Sequence, residues 1–121
     1  MSAGVLLAVG LVGGIGACAR FALDGAVAIR FGRAFPFGTL AVNIAGAFLL
    51  GVLAGLALSG DGYRIAATGL LGAFTTFSTW AFESHRLAED GQGRAAALNV
   101  AVSLVLGLAA VWLGRHLGAA L

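Results

Sequence analysis

The chain has 121 residues, of which 60% are hydrophobic and only 10% are charged, and its mean hydropathy is +1.02. So few charged residues cannot form the polar shell of a soluble domain of this size, which excludes that class. The net charge of +2 reflects seven arginines and no lysine; in a membrane protein such residues mainly set orientation, so no nucleic-acid partner is expected. We expect an all-α, multi-pass protein of the plasma or inner membrane, with one transmembrane domain over residues 1–121.

Four apolar segments are long enough to cross a bilayer as helices. They cover about residues 3–23, 37–58, 65–82 and 95–113. The stretch from Asp24 to Pro36 is predicted to be a connector, either irregular or a short amphipathic turn of helix in the interface. The stretch from Glu83 to Arg94 is predicted to be a solvated link. No basic residue precedes the first apolar run, so we expect it to be retained as a helix rather than removed as a signal peptide. The single cysteine, Cys18, excludes an internal disulfide and a multi-cysteine metal site.

Small and polar residues form stripes along three of these segments. In the first, Gly10 and Gly14 have GxxxG spacing, with Gly13, Gly16 and Ala17 close by, and these small residues predict close helix packing. Arg20 has two interpretations: it snorkels to the interface, or it attracts anions to the mouth of a pathway. Asn43 also has two interpretations: it forms an interhelical hydrogen bond, or its amide points into a pore. The residues with four-residue spacing are Thr39, Asn43, Ala47, Gly51 and Gly55 in the second segment and Asn99, Ser103 and Gly107 in the fourth.

The third segment contains a hydroxyl-rich run from Gly72 to Trp80. Hydroxyls at membrane depth are tolerated where they meet protein, an ion or water, so this run is the first candidate for a functional site. Phe77 and Trp80 are three residues apart and share a helix face. Aromatic rings are positive at their edges, so edges turned toward a narrow path favour a small anion. The alternative is that both rings only pack against neighbouring helices.

The polar groups expected inside the membrane are neutral. They can solvate an ion but offer little for proton transfer, and no catalytic triad, embedded acid pair or phosphate-binding loop is present in the sequence. We therefore expect permeation or a structural role and not an enzyme. The neutral polar residues are Asn43, Thr75, Thr76, Ser78, Thr79, Asn99 and Ser103.

The arginines give only a weak orientation signal. With four helices, the first and third loops lie on one side and the second loop and both termini on the other. The bias is modest, favours both termini outside, and does not specify a single orientation. On the first side are Arg30, Arg33, Arg86 and Arg94, with Arg20 near a helix end, and on the other are Arg64 and Arg115.

Three groups of residues together resemble the CrcB/Fluc family of fluoride channels, and the resemblance covers nearly the whole chain. The most specific is the Gly-x-x-Thr-Thr-Phe-Ser-Thr run inside a membrane span. The groups are Gly13-Gly14-Ile15-Gly16-Ala17 with Arg20-Phe21, Pro36-Phe37-Gly38-Thr39-Leu40 with Asn43 and Gly46, and Gly72 to Thr79 with Glu83.

The resemblance implies a passive, fluoride-selective channel that exports the ion and lowers its toxicity to the cell. It implies an antiparallel homodimer, in which each chain inserts in both orientations (dual topology) and two pores run along the dimer interface. It also implies that the third helix is broken at the threonine-rich run. Backbone carbonyls of Gly72 and Thr75 from both subunits would hold a structural sodium ion at the dimer centre.

The same resemblance implies roles along the anion pathway. Asn43 matches the pore amide and Phe77 the first phenylalanine of a ring ladder. Trp80 departs from the family pattern, which often has a second phenylalanine there; its indole N–H is a possible direct donor to an anion. Three hydroxyls are similar to those near the family's polar track, and one arginine matches the arginine close to its vestibule. The hydroxyls belong to Ser78, Thr79 and Ser103, and the arginine is Arg20.

Two other functions compete with the channel. A small multidrug-type exporter also has four short helices, but it couples to protons through an acid in its first helix, and here no acid precedes Asp24. In a non-transporting assembly subunit, Asn43, Phe77 and Trp80 would only pack.

Overall fold

The computed structural model describes residues 2–121, and this part of the chain consists of helices joined by short turns. Four stretches are long and apolar enough to cross a membrane, as predicted. The third of them, Gly60–Glu89, is made of several successive pieces and is called the third span below. The elements are α1 (Ala3–Phe31), α2 (Phe37–Gly55), α3 (Gly60–Tyr63), a π-helical segment (Arg64–Leu71), α4 (Gly72–Phe74), α5 (Phe77–Glu89) and α6 (Gly93–Ala120).

Helix α1 continues eight residues past its predicted end near residue 23. The stretch from Asp24 to Phe31 contains no proline, and the helix stops only at Gly32, whose φ is +79° and whose N–H donates to the Ala28 carbonyl over 2.7 Å. The predicted connector from Asp24 to Pro36 is therefore helical over most of its length, as a continuation of α1 and not as a separate short turn. As a consequence, Arg20 lies well inside a helix and not near its end.

The other spans also differ from the apolar segments that predicted them. The third span begins at Gly60 and ends at Glu89, and α6 runs to Ala120, so both exceed the predicted 65–82 and 95–113. Helix α2 is shorter than predicted and ends at Gly55, just before Ala57 takes a positive φ of 57°. The length of an apolar run reflects the thickness of the hydrocarbon core of the bilayer, whereas a helix continues until a change in backbone conformation ends it.

The most extensive packing in the fold is between α2 and α6. Gly51 and Gly55 of α2, and Gly114 and Gly118 of α6, lie where an added Cβ would overlap the backbone of the facing helix. Close backbone approach through small residues is how helices associate in lipid, where apolar burial gives no driving force. The end of the α2 stripe that contains Gly51 and Gly55 is thus a packing surface, as predicted.

Helix α1 packs against the π-helical segment through Gly13 and Gly16, two of the four glycines predicted to pack. Gly16 lies against the Leu70 carbonyl, and a Cβ on Gly13 would be 3.4 Å from the Gly69 carbonyl oxygen. Gly10 and Gly14 have nothing within 4 Å of an added Cβ among the described residues. Glycine packing on α1 was therefore predicted, but the GxxxG spacing did not indicate which of these glycines face the third span.

Candidate functional site

The third span is broken at Thr75 and Thr76. Both residues are extended, with φ and ψ of −79° and 159° at Thr75 and −147° and 117° at Thr76. Helix α4 ends at Phe74 and α5 begins at Phe77, so two residues of non-helical backbone interrupt the span. The break that the family resemblance implied is confirmed.

Asn43 of α2 supports the broken backbone with both ends of its amide. Its Nδ2 donates to the Thr76 carbonyl over 2.9 Å, and its Oδ1 accepts from the Thr76 N–H over 2.8 Å. A break inside a membrane is tolerated where other groups satisfy the freed backbone, and this side chain satisfies both groups of one residue. The interhelical hydrogen bond considered for Asn43 is therefore present, and one amide N–H of its two is left for another acceptor.

Most of the hydroxyl groups beside the break form hydrogen bonds with backbone groups. The Thr76 hydroxyl caps α5 by accepting from the Thr79 N–H over 3.2 Å, and it donates to the Thr79 hydroxyl over 3.1 Å. The Thr75 hydroxyl donates to the Leu71 carbonyl over 3.0 Å. Ser78, by contrast, is exposed, with its hydroxyl 3.4 Å from that of Thr76.

The break also leaves two carbonyls without their usual helical partners. In an unbroken helix the Gly72 carbonyl would accept from the Thr76 N–H, which here donates to Asn43. The Thr75 carbonyl would accept from the Thr79 N–H, which here donates to the Thr76 hydroxyl. These are the two carbonyls that the resemblance assigned to a cation.

An open groove of about 380 Å³ lies beside the break, between α2, the third span and α6. Its wall combines amide, hydroxyl and aromatic groups, and Phe77 is 76% exposed there. Among the residues that line it are Asn43, Gly72, Thr75, Thr76, Phe77 and Trp80.

The Trp80 indole connects α5 to α6. Its Nε1–H donates to the Asn99 carbonyl over 3.3 Å, and its ring packs on Phe77 with centroids 5.4 Å apart and planes tilted by 59°. The Asn99 Nδ2 in turn donates to the Ser84 hydroxyl over 2.8 Å. Sequence reasoning placed Asn99 in a polar stripe but gave no role to Ser84.

Comparison with known proteins decides the family. The family model described as "CrcB-like protein, Camphor Resistance (CrcB)" matches residues 7–115. This chain belongs to the CrcB family. The chain is 54% identical over 113 residues to "Fluoride-specific ion channel FluC 2" of Mycolicibacterium paratuberculosis, covering 93% of each chain. It is also 46% identical over 114 residues to "Fluoride-specific ion channel FluC" of Geobacter sulfurreducens, covering 90% of this chain and 92% of the relative.

Membership of the CrcB family confirms two of the predictions made from sequence. The four spans and the ion-channel relatives identify a multi-pass membrane protein. The same relatives are named as channels and not as enzymes, in agreement with the prediction that this CrcB protein is not an enzyme.

Four residues of the predicted anion pathway do not line the groove of this CrcB chain: Ser78, Thr79, Ser103 and Arg20. Ser103 is partly buried on α6, and its hydroxyl has no hydrogen-bond partner among the described residues. Arg20 is partly buried within α1, and its Nε likewise has none. The structure therefore brings together Asn43, Phe77 and Trp80, but it leaves the other four predicted pathway residues outside their groove.

A polar contact missed by sequence reasoning lies near the end of the membrane-spanning part of the CrcB fold. The Thr39 hydroxyl, 4% exposed, donates to the Glu83 Oε1 over 2.5 Å. The contact joins α2 to α5 next to a small polar cavity of about 80 Å³, whose walls include Asp24, Arg33 and Arg86. Thr39 was assigned to a packing stripe and Glu83 to a solvated link, so only their shared place in the family motifs could have paired them.

Proposed function

We propose that this chain forms a passive, fluoride-selective channel that exports fluoride and lowers its toxicity to the cell. The observation that carries the proposal is the groove beside the helix break, where an amide, hydroxyls and two aromatic rings meet at membrane depth. Relatives that match over nine-tenths of the chain are named as fluoride-specific ion channels, which supports the same function.

The groove offers neutral donors that suit a small anion. A charge at the bilayer centre costs at least ~2.5 kcal/mol, so the groups along a path must replace the water around the ion. They must also bind it weakly enough for release. In the groove, Asn43 keeps one unused N–H and the rings of Phe77 and Trp80 present positive edges. Ser78, which follows Phe77 in the chain but does not line the groove, adds an exposed hydroxyl. We propose that these residues, with Thr79, form the anion pathway. Ser103 and Arg20 act outside the groove, Ser103 near the polar track and Arg20 near the mouth of the pathway.

The path requires a second copy of the chain. The groove is open along one side, and Phe77 is too exposed for a single subunit to enclose an ion with it. We propose an antiparallel homodimer in which two such grooves are closed by the partner subunit. The weak arginine bias allows each chain to insert in both orientations.

We further propose a structural sodium ion at the dimer centre, bound by the carbonyls of Gly72 and Thr75 from each subunit. Two features support this fit. Both carbonyls lack their usual helical N–H partners, and carbonyl oxygens are suitable ligands for a hard cation. The ion would supply only charge and coordination there, satisfying backbone that the break frees.

Fluoride efflux from liposomes tests the proposed function. Purified protein in vesicles loaded with fluoride should release it when a potassium ionophore balances the charge, while chloride release stays near that of protein-free vesicles. Equal chloride and fluoride fluxes, or no fluoride flux, would refute the proposal. Proton-driven uptake of an organic cation would instead support the exporter, and a protein without any flux would support the assembly subunit.

A further inference from the structure

The indole N–H of Trp80 is already engaged within the subunit. It donates to the Asn99 carbonyl on α6, and an indole has only one N–H to donate. It is therefore not available to an anion in the groove that Trp80 lines. What remains on the groove side is the ring itself, packed against Phe77.

Two further hydrogen bonds hold this arrangement. The Ser84 hydroxyl donates to the Trp80 carbonyl over 2.9 Å and accepts from the Asn99 Nδ2 over 2.8 Å. Asn99 is 1% exposed, so water does not compete for its amide. One residue of α6 thus contacts α5 twice, through its backbone at Trp80 and through its side chain at Ser84.

We propose that Ser84 and Asn99 are positioning residues that fix the Trp80 indole, so that Trp80 acts on the anion path through its ring and not through its N–H. The proposal rests on the proposed channel function. It explains how a tryptophan can stand where the family pattern often has phenylalanine: the extra donor is directed into the protein. The Asn99 amide then influences ion selectivity only through Trp80.

The hydrogen bond of Trp80 can be measured without any ion flux. The chain has two tryptophans, so a Trp112→Phe background leaves Trp80 as the only indole. In ¹⁵N-labelled protein, Asn99→Leu and Ser84→Ala should each shift or broaden the indole Nε1–H resonance. Ser103→Ala is the matched control, since it lies one turn along α6 and its hydroxyl has no partner. An indole signal that Asn99→Leu leaves unchanged, or that Ser103→Ala shifts equally, would overturn the positioning role.

A double-mutant cycle then tests whether Asn99 acts through Trp80. Asn99→Leu keeps a side chain branched at Cγ but removes the amide, and we expect it to change the fluoride-to-chloride flux ratio by about fivefold, the size of one lost hydrogen bond. The same substitution should change little when Trp80→Phe is already present. An equal effect in both backgrounds would show that Asn99 acts on its own and overturn the proposal. A wild-type protein without fluoride flux would refute the channel function, and the indole signal would still decide the positioning role.

Discussion

The contact between Asn43 and Thr76 gives the most quantitative prediction. Asn43→Ala removes two hydrogen bonds of 2.8 and 2.9 Å that satisfy both backbone groups of one extended residue. The site lies inside a span and is partly buried, so neither group of Thr76 has ready access to water. We expect the substitution to destabilise the break and not merely to remove a side chain.

The size of the effect follows from the two bonds. A buried backbone group left without a partner costs about 1–3 kcal/mol, so two groups would cost about 2–6 kcal/mol if nothing replaced the amide. Interhelical hydrogen bonds measured in a membrane protein average only about 0.6 kcal/mol, because other partners are found. We therefore expect a loss of about 2 kcal/mol, which is about 30-fold in the folding equilibrium constant.

Two measurements follow this change. Hydrogen exchange at the Thr76 amide should accelerate by about the same 30-fold factor, and the melting temperature in detergent should fall. Leu49→Ala is the matched control, because it lies on the same helix with a 45% exposed side chain. If Asn43→Ala and Leu49→Ala give the same exchange rate at Thr76 and the same melting temperature, the amide does not support the break.

The remaining predictions concern the surroundings of the break. Gly46→Ala places a methyl group against the Thr75 side chain and should lower stability by about 1–3 kcal/mol in thermal melts, whereas Gly107→Ala, with open space around it, should not; equal melting temperatures would contradict the packing. Thr76→Val removes the cap of α5 and should cost about 1 kcal/mol in the same melts, with no change if the cap is dispensable. Replacing sodium by a large organic cation should lower the melting temperature of the dimer if the carbonyls of Gly72 and Thr75 bind the ion; an unchanged value would count against that site. Trp80→Phe should retain fluoride conduction, because the indole N–H is engaged by Asn99, and complete loss would show that this N–H is required.

The overall fold could be read from composition and apolar runs, because each span must cover the hydrocarbon with apolar side chains. The ends of the helices could not. Asp24 looks like the end of a span, but the chain from Asp24 to Phe31 remains helical until Gly32 stops it. Likewise, packing was predicted for the glycines of α1 as a group, and the rotation of α1 places Gly13 and Gly16, not the GxxxG pair, against the third span.

The candidate site was predictable where the family motif specifies the backbone, and less so where partners lie on other helices. The unusual hydroxyls marked this run as a candidate site and the family resemblance implied the break, while residue chemistry required a partner for Asn43 without naming it. The hydrogen bond from Trp80 to Asn99 depends on the axial position and rotation of α5 relative to α6, which no pattern within either helix specifies. For this reason the sequence left the Trp80 N–H as a donor to the anion, whereas the structure directs it into the protein.

The most direct test of the central claim, that the groove is a fluoride path, is fluoride efflux from liposomes for two matched variants. Phe77→Ile removes an exposed ring that lines the groove, and Phe82→Ile removes a ring of similar exposure on the same helix outside it. We predict that Phe77→Ile strongly reduces fluoride efflux while Phe82→Ile retains the wild-type rate, with chloride efflux at background throughout. Equal fluoride efflux from the two variants would contradict the account.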